Sequence, residues 1–130
     1  MIFKHGKKRV LVADDDKDFL SVTQSLLEFS GFKADTAEDG EDALEKIKKH
    51  RYDLLILDVV MPKIDGIRLF QMARKSKRYA KVPMIFVSGH VNKERLEERQ
   101  REVVDKADGY IEKPFKTKTF LDTVGGLLKR

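Results

Sequence analysis

Four carboxylates, one hydroxyl and one ammonium account for most of the chemistry open to this sequence. Asp14, Asp15 and Asp16 follow the apolar stretch RVLVA, Asp58 ends DLLILD, Ser88 ends PMIFVS, and Lys113 comes directly after GYIE. Each placement alone is ordinary, since Asp and Ser are common in turns and at helix starts. Gathered at one place they are not, because clustered carboxylates repel one another and their pKa values rise unless a cation intervenes. The chain has no Cys and places no His at a strand end. An all-oxygen donor set favours a hard ion, Mg²⁺ ahead of Mn²⁺ or Ca²⁺. Carboxylates, Mg²⁺, a hydroxyl and an ammonium together suit phosphoryl transfer, where cations neutralise charge on the equatorial oxygens. An Asp carboxylate can itself be the nucleophile and become an aspartyl phosphate.

The elements that must position these groups are read from periodicity. Short runs rich in Val, Ile and Leu recur at 9–13, 53–58 and 83–88, with weaker runs KADTA at 33–37 and GYIE at 109–112. The three strong runs are apolar without alternation, as in central parallel strands covered on both faces. Helical spacing lies between them. Phe19, Val22, Leu26 and Phe29 form one stripe, followed by Gly31 where a helix needs a left-handed cap. Phe120, Leu121, Val124, Leu127 and Leu128 form a second, weakened by Gly125 and Gly126. Five strands alternating with five helices predict an α/β three-layer sandwich around a parallel sheet with right-handed crossovers. In such a sheet the reactive crevice lies beyond the carboxyl ends of the strands, so the strand-end groups converge there. The segment 92–107, NKERLEERQREVVDKA, is predicted to be a wet helix supported by the pairs Glu97 with Arg101 and Glu102 with Lys106.

Composition narrows the function classes. A chain of 130 residues predicts a single domain, 1–130, without an output domain. Its apolar runs fall far short of the roughly 20 residues a membrane span needs, and MIFKHGKKRVLVADDD meets charge too early for a secretory signal. A cytoplasmic protein with no membrane partner is expected. Without Cys, disulfides, thiolate metal sites and a Cys nucleophile are excluded. The net charge is +5, and RKSKRYAK at 74–81 holds five cations and no acid. Such a run could meet nucleic acid. The reading favoured is structural, with Arg74, Lys75 and Lys77 in the last turn of a helix, where cations meet the dipole favourably.

The motifs VLVADDD, LLILDVVMPKIDG, MIFVSG and GYIEKPF stand in an order and spacing that resemble a two-component response-regulator receiver domain, from about Arg9 to the C-terminus. The resemblance implies a flavodoxin-like five-stranded parallel sheet of order 2-1-3-4-5. It implies a signalling phosphoacceptor rather than an enzyme, one that assists its own phosphorylation and dephosphorylation. Asp58 would accept the phosphoryl group from a phosphohistidine on a sensor histidine kinase or histidine phosphotransfer protein. Asp14, Asp15, Asp58 and the backbone carbonyl of Val60 would hold Mg²⁺, with Asp14 acting directly or through water. Lys113 would pair with Asp58 and then with a phosphate oxygen, and the Lys113–Pro114 bond would be cis. Ser88 would hydrogen-bond the phosphoryl group and, with Tyr110, act as a switch, changing the face formed by the fourth helix, fifth strand and fifth helix. The effector protein reading that face is unknown, and no direct nucleic acid binding is expected.

Several positions admit a second reading. Asp16 matches an often acidic position, but a helix cap is the favoured role. Tyr110 could be a half-packed strand tyrosine, and His90 either tunes the phosphoryl lifetime or is a loop residue without a role. His5 and His50 read as surface residues. The stretch from Ser88 to Lys113 is about three residues longer than the family's usual spacing, which predicts an extended fourth helix or exit loop. A phosphatase of the haloacid dehalogenase type needs a second Asp two residues after its nucleophile, where this chain has Val60. A flavodoxin would offer phosphate a loop rich in Ser, Thr and Gly, whereas VADDDKDF repels it. A receiver that only binds partners would not need Asp14, Asp15, Asp58, Ser88 and Lys113 intact.

Overall fold

A computed structural model describes residues 6–89 and 96–129. Strands β1 (Arg9–Ala13), β2 (Lys33–Ala37), β3 (Leu54–Asp58), β4 (Met84–Ser88) and β5 (Gly109–Glu112) alternate with helices α1 (Lys17–Phe29), α2 (Gly40–Lys49), α3 (Gly66–Lys75), α4 (Glu98–Val104) and α5 (Thr117–Leu128). All strand pairs are parallel and the sheet order is β2-β1-β3-β4-β5, as the resemblance implied.

Every residue of β3 and β4 is buried, because successive side chains point to opposite faces and both faces are covered. Val10, Val12, Leu54, Ile56, Ile85 and Val87 meet Leu20 and Leu27 of α1 and Phe120 and Val124 of α5. Leu11, Ala13, Leu55, Leu57, Met84 and Phe86 meet Ala43 and Ile47 of α2, Leu69 and Phe70 of α3, and Val104 of α4. In α5, Phe120, Val124, Leu127 and Leu128 are buried as predicted, and Gly125 and Gly126 do not interrupt the helix. Packing of the apolar face outweighs their low propensity.

Two expectations fail in the helices. The buried residues of α1 are Leu20, Thr23 and Leu27, so of the stripe Phe19, Val22, Leu26 and Phe29 it is Phe19 that packs, half-buried, against the core. Val22 is 60% and Phe29 94% exposed. The apolar band of α1 is wider than the core needs, and its outer edge points away from the sheet. Gly31 does take the left-handed conformation, with φ 98°, just past the cap residue Ser30.

The fourth helix is short rather than extended. It starts at Glu98 because the Glu97 side chain accepts from the backbone of Gln100, whose own side chain accepts from the Glu97 amide. It ends at Val104, so Lys106 lies beyond it and the predicted Glu102–Lys106 pair spans the helix end. Four residues, 105–108, separate α4 from β5. Residues 92–95 of the predicted helix lie outside the described residues, as do His5 and His90. The basic run divides too. Arg74 and Lys75 occupy the last turn of α3, while Lys77 lies past the cap residue Ser76. Arg74 donates to the carbonyls of Tyr79, Ala80 and Val82, and Arg78 donates to those of Lys48 and His50. His50 is half-buried, its ring edge-on to Tyr52. No helix among the described residues is long and apolar enough to cross a membrane.

Candidate functional site

β1 and β3 are neighbours, and the chain leaves β1 for β2 on one side and reaches β3 on the other. That reversal opens a crevice at their carboxyl ends, where Asp14 continues β1 and Asp58 ends β3. One carboxylate oxygen from each of Asp14, Asp15 and Asp58 lies within 4.8 Å of the others. Asp14 and Asp58 are buried, while Asp15 is exposed. Ser88, buried at the end of the next strand, β4, is a further strand-end group.

Local hydrogen bonds fix the acidic run after β1. Asp14 Oδ1 accepts from the Asp16 amide at 2.9 Å. Asp16 Oδ1 accepts from the amides of Asp18 and Phe19 at 3.0 and 3.1 Å. Asp16 is therefore the N-cap of α1, the role favoured from sequence. After β3, the Val60 amide donates to Asp58 Oδ1 at 3.3 Å, and Gly66 returns the chain by donating to the Val59 carbonyl at 3.0 Å. A Cβ built at Gly66 would lie 1.9 Å from the Asp58 carbonyl oxygen, so only glycine lets α3 start against the backbone of Asp58. Gly66 ends the motif LLILDVVMPKIDG and was given no role from sequence. Besides that motif its signal was the Asp-Gly pair, in which Asp65 caps α3 by accepting from the Arg68 amide.

Lys113 is the main departure. The resemblance implied a pair with Asp58, but the ammonium donates to Asp14 Oδ2 at 2.6 Å and stands 4.0 Å from the centroid of the Phe19 ring. The Lys113–Pro114 bond is cis, as implied. Asp58 Oδ2 and Ser88 Oγ are buried and without a hydrogen-bond partner among the described residues. Burial first, then the negative charge of Asp14, push the Asp58 carboxyl up to about 7, against the opposing pull of Lys113 and the Val60 amide. Orphaned buried polar atoms are costly unless something completes them. The donor set fits a hard cation at Asp14, Asp15 and Asp58, and an anionic group beside Ser88. Tyr110 pairs with Phe86 across β4 and β5 and is half-buried, packed against the α2, α3 and α4 side of the core.

Beside the carboxylates runs a groove of about 520 Å³ whose lining includes Phe19, Val22, Leu26, Lys113, Pro114 and Phe115. The exposed edge of α1, including Phe29, continues it. The stripe Phe19, Val22, Leu26 and Phe29 read from the sequence thus lines grooves next to the site.

Residues 10–125 match the model of the response regulator receiver domain family. Among curated relatives, the alkaline phosphatase synthesis transcriptional regulatory protein PhoP of Bacillus subtilis is 33% identical over 95% of this chain and 49% of its own length. The transcriptional regulatory protein RprY of Bacteroides fragilis is 33% identical over 100% of this chain and 53% of its own. The chain spans about half the length of these relatives. Among solved structures, the chemotaxis response regulator CheY4 of Vibrio cholerae superposes with a TM-score of 0.83 at 30% identity, covering 94% of this chain and 99% of that one. A CheY-like receiver domain protein of Methanospirillum hungatei gives 0.84 at 27% identity, covering 95% and 94%.

Proposed function

This chain belongs to the response regulator receiver domain family, a signalling family, and on that premise we propose that Asp58 is its phosphoacceptor. The observation that carries the reading is the pair of orphaned buried atoms, Asp58 Oδ2 and Ser88 Oγ, beside three convergent carboxylates. A buried nucleophile oxygen free of partners can attack, and a buried hydroxyl free of partners can receive what arrives.

The donor is a phosphohistidine on a sensor kinase or phosphotransfer protein. An ionised Asp58 oxygen forms the new P–O bond while the P–N bond to the donor imidazole breaks, and the imidazole nitrogen keeps the electron pair. Asp14, Asp15, Asp58 and the Val60 carbonyl would hold Mg²⁺, which supplies positive charge for the phosphoryl oxygens and holds Asp58 ionised. Both Asp14 oxygens already accept hydrogen bonds, so Lys113 must leave Asp14, or share it, as the site fills. That freed ammonium then meets a phosphoryl oxygen, and Ser88 Oγ donates to another. Ser88 lies beside Glu112 across β4 and β5, one residue along from the Val87–Ile111 pair and two from Phe86 and Tyr110. Its movement thus bears on Tyr110 and on the surface of α4, β5 and α5, which an effector protein would read. The α1 groove supports docking of the donor, because its apolar wall adjoins the acceptor.

The test is intact-mass analysis after incubation with Mg²⁺ and acetyl phosphate, where the acetate leaves in place of imidazole. Native chain is expected to gain one phosphoryl group and Asp58→Asn none. Equal labelling of both would remove Asp58 from the role.

A further inference from the structure

Lys113 is held at rest by an aromatic ring as well as by a carboxylate, and the same short segment supplies both. Asp14 Oδ1 fixes the Asp16 amide and Asp16 Oδ1 fixes the Phe19 amide. The hydrogen-bonded run from Asp14 to Phe19 therefore sets where the carboxylate and the ring stand relative to each other. The lysine enters from the far side of the sheet, since β3 and β4 lie between β1 and β5. Its amide is anchored to the Ser88 carbonyl at 2.9 Å. Its stem passes Gly89, where a Cβ would stand 3.2 Å from Lys113 Cβ and 3.4 Å from Cδ. At the end of that path the ammonium stands 2.6 Å from Asp14 Oδ2 and 4.0 Å from the Phe19 centroid, on a side chain that is 15% exposed.

The ring is itself held. Phe115 meets Phe19 edge-on at 5.9 Å and stacks on Phe120 at 4.9 Å, and Phe120 is fully buried in the α1 and α5 side of the core. Phe19 is thus the outer end of an aromatic ladder rooted in the core, with its face to the cation. An ammonium over a ring face is attracted by the ring quadrupole, more so where water is largely excluded.

We propose that Phe19 is a positioning residue that holds the Lys113 ammonium on the Asp14 side of the site, away from Asp58, and so slows phosphoryl capture until the lysine is released. This rests on the reading of Asp58 as phosphoacceptor. Because Phe19 also lines the groove beside α1, whatever docks there touches the ring that holds the lysine.

The experiment has two arms on the full chain. In Mg²⁺-free, unphosphorylated protein, NMR of the Lys113 side chain is expected to show its ε-methylene protons shifted upfield by the ring. Phe19→Leu should abolish that shift and Phe19→Tyr should keep it. In the second arm, acetyl phosphate labelling is expected to be about threefold faster for Phe19→Leu, the size of one ammonium–ring contact. Phe19→Tyr, which preserves the ring face, should match the native rate. An unshifted Lys113 in the native chain overturns the proposal. So does a Phe19→Leu rate equal to or below native, or a Phe19→Tyr rate that follows Phe19→Leu. If the native chain takes no phosphoryl group, the Asp58 reading fails and the rate claim fails with it, while the NMR arm alone still decides whether Phe19 holds Lys113.

Discussion

Asp58 keeps a carboxyl in surroundings that favour its proton, although the proposed chemistry needs the anion. Its folded-state pKa is pushed up to about 7 from an ordinary value of 3.8, by burial and then by Asp14. Between those values the folded chain binds a proton that the unfolded chain has released, so stability falls as pH rises through the window. The contribution is whole below the ordinary value and lost once pH passes the folded one. Asn at this position carries no charge. In metal-free buffer, Asp58→Asn is therefore expected to be more stable than native at pH 8, by on the order of 2–4 kcal/mol, with the gap closing towards pH 4. Urea titrations at the two pH values check this, and a gap independent of pH would contradict it. The sequence made the identity of the strand-end groups legible, because apolar runs that stop on Asp, Ser or just before Lys announce themselves. It did not reveal whom Lys113 touches at rest. That depends on side-chain direction across three strands, which no spacing rule encodes.

At the scale of elements, β1, β3 and β4 were legible to within a residue because central parallel strands are apolar without alternation, while β2 and β5, only partly buried, carried weaker runs. The helix faces were less so. In α1 an apolar band of Phe19, Leu20, Val22, Leu26, Leu27 and Phe29 covers more than one face, and periodicity could not say which edge meets the sheet. If the exposed edge serves donor docking, Phe29→Ser should leave stability within about 0.5 kcal/mol and acetyl phosphate labelling unchanged. Transfer from a phosphohistidine protein should become several-fold slower, and an unaltered transfer rate would count against the groove. In α4 the capping residues Glu97 and Gln100 mark the true start, a signal that was present in the sequence but hidden inside a longer charged run. The basic run is a third case. Arg74 serves three carbonyls and stands over the Phe70 ring, so Arg74→Ala should cost about 1–3 kcal/mol by orphaning acceptors. Lys75→Ala should change stability by less than about 0.5 kcal/mol. Chemical denaturation separates the two, and equal effects would return the run to a purely solvated role.

Across the whole molecule, the sheet is a platform whose two apolar faces are sealed by helices, and the carboxylates Asp14, Asp15 and Asp58 converge in its crevice with Lys113 paired to Asp14 alone among the described residues. A cation bound there adds stability by mass action, about 2.7 kcal/mol when its concentration is a hundredfold above Kd. For a chain of 130 residues that is a rise in Tm of several degrees. Calorimetry with Mg²⁺ and then with a chelator should show the rise and its reversal in native chain and little of either in Asp15→Asn; an equal rise in both would place the ion elsewhere. The central claim is narrower, that one carboxylate captures phosphorus. It is tested most directly by borohydride reduction of the chain after exposure to Mg²⁺ and acetyl phosphate, which converts an aspartyl phosphate to homoserine, followed by peptide sequencing. Homoserine at position 58 alone is the result predicted; homoserine at position 14 or 15, or at none, would contradict it.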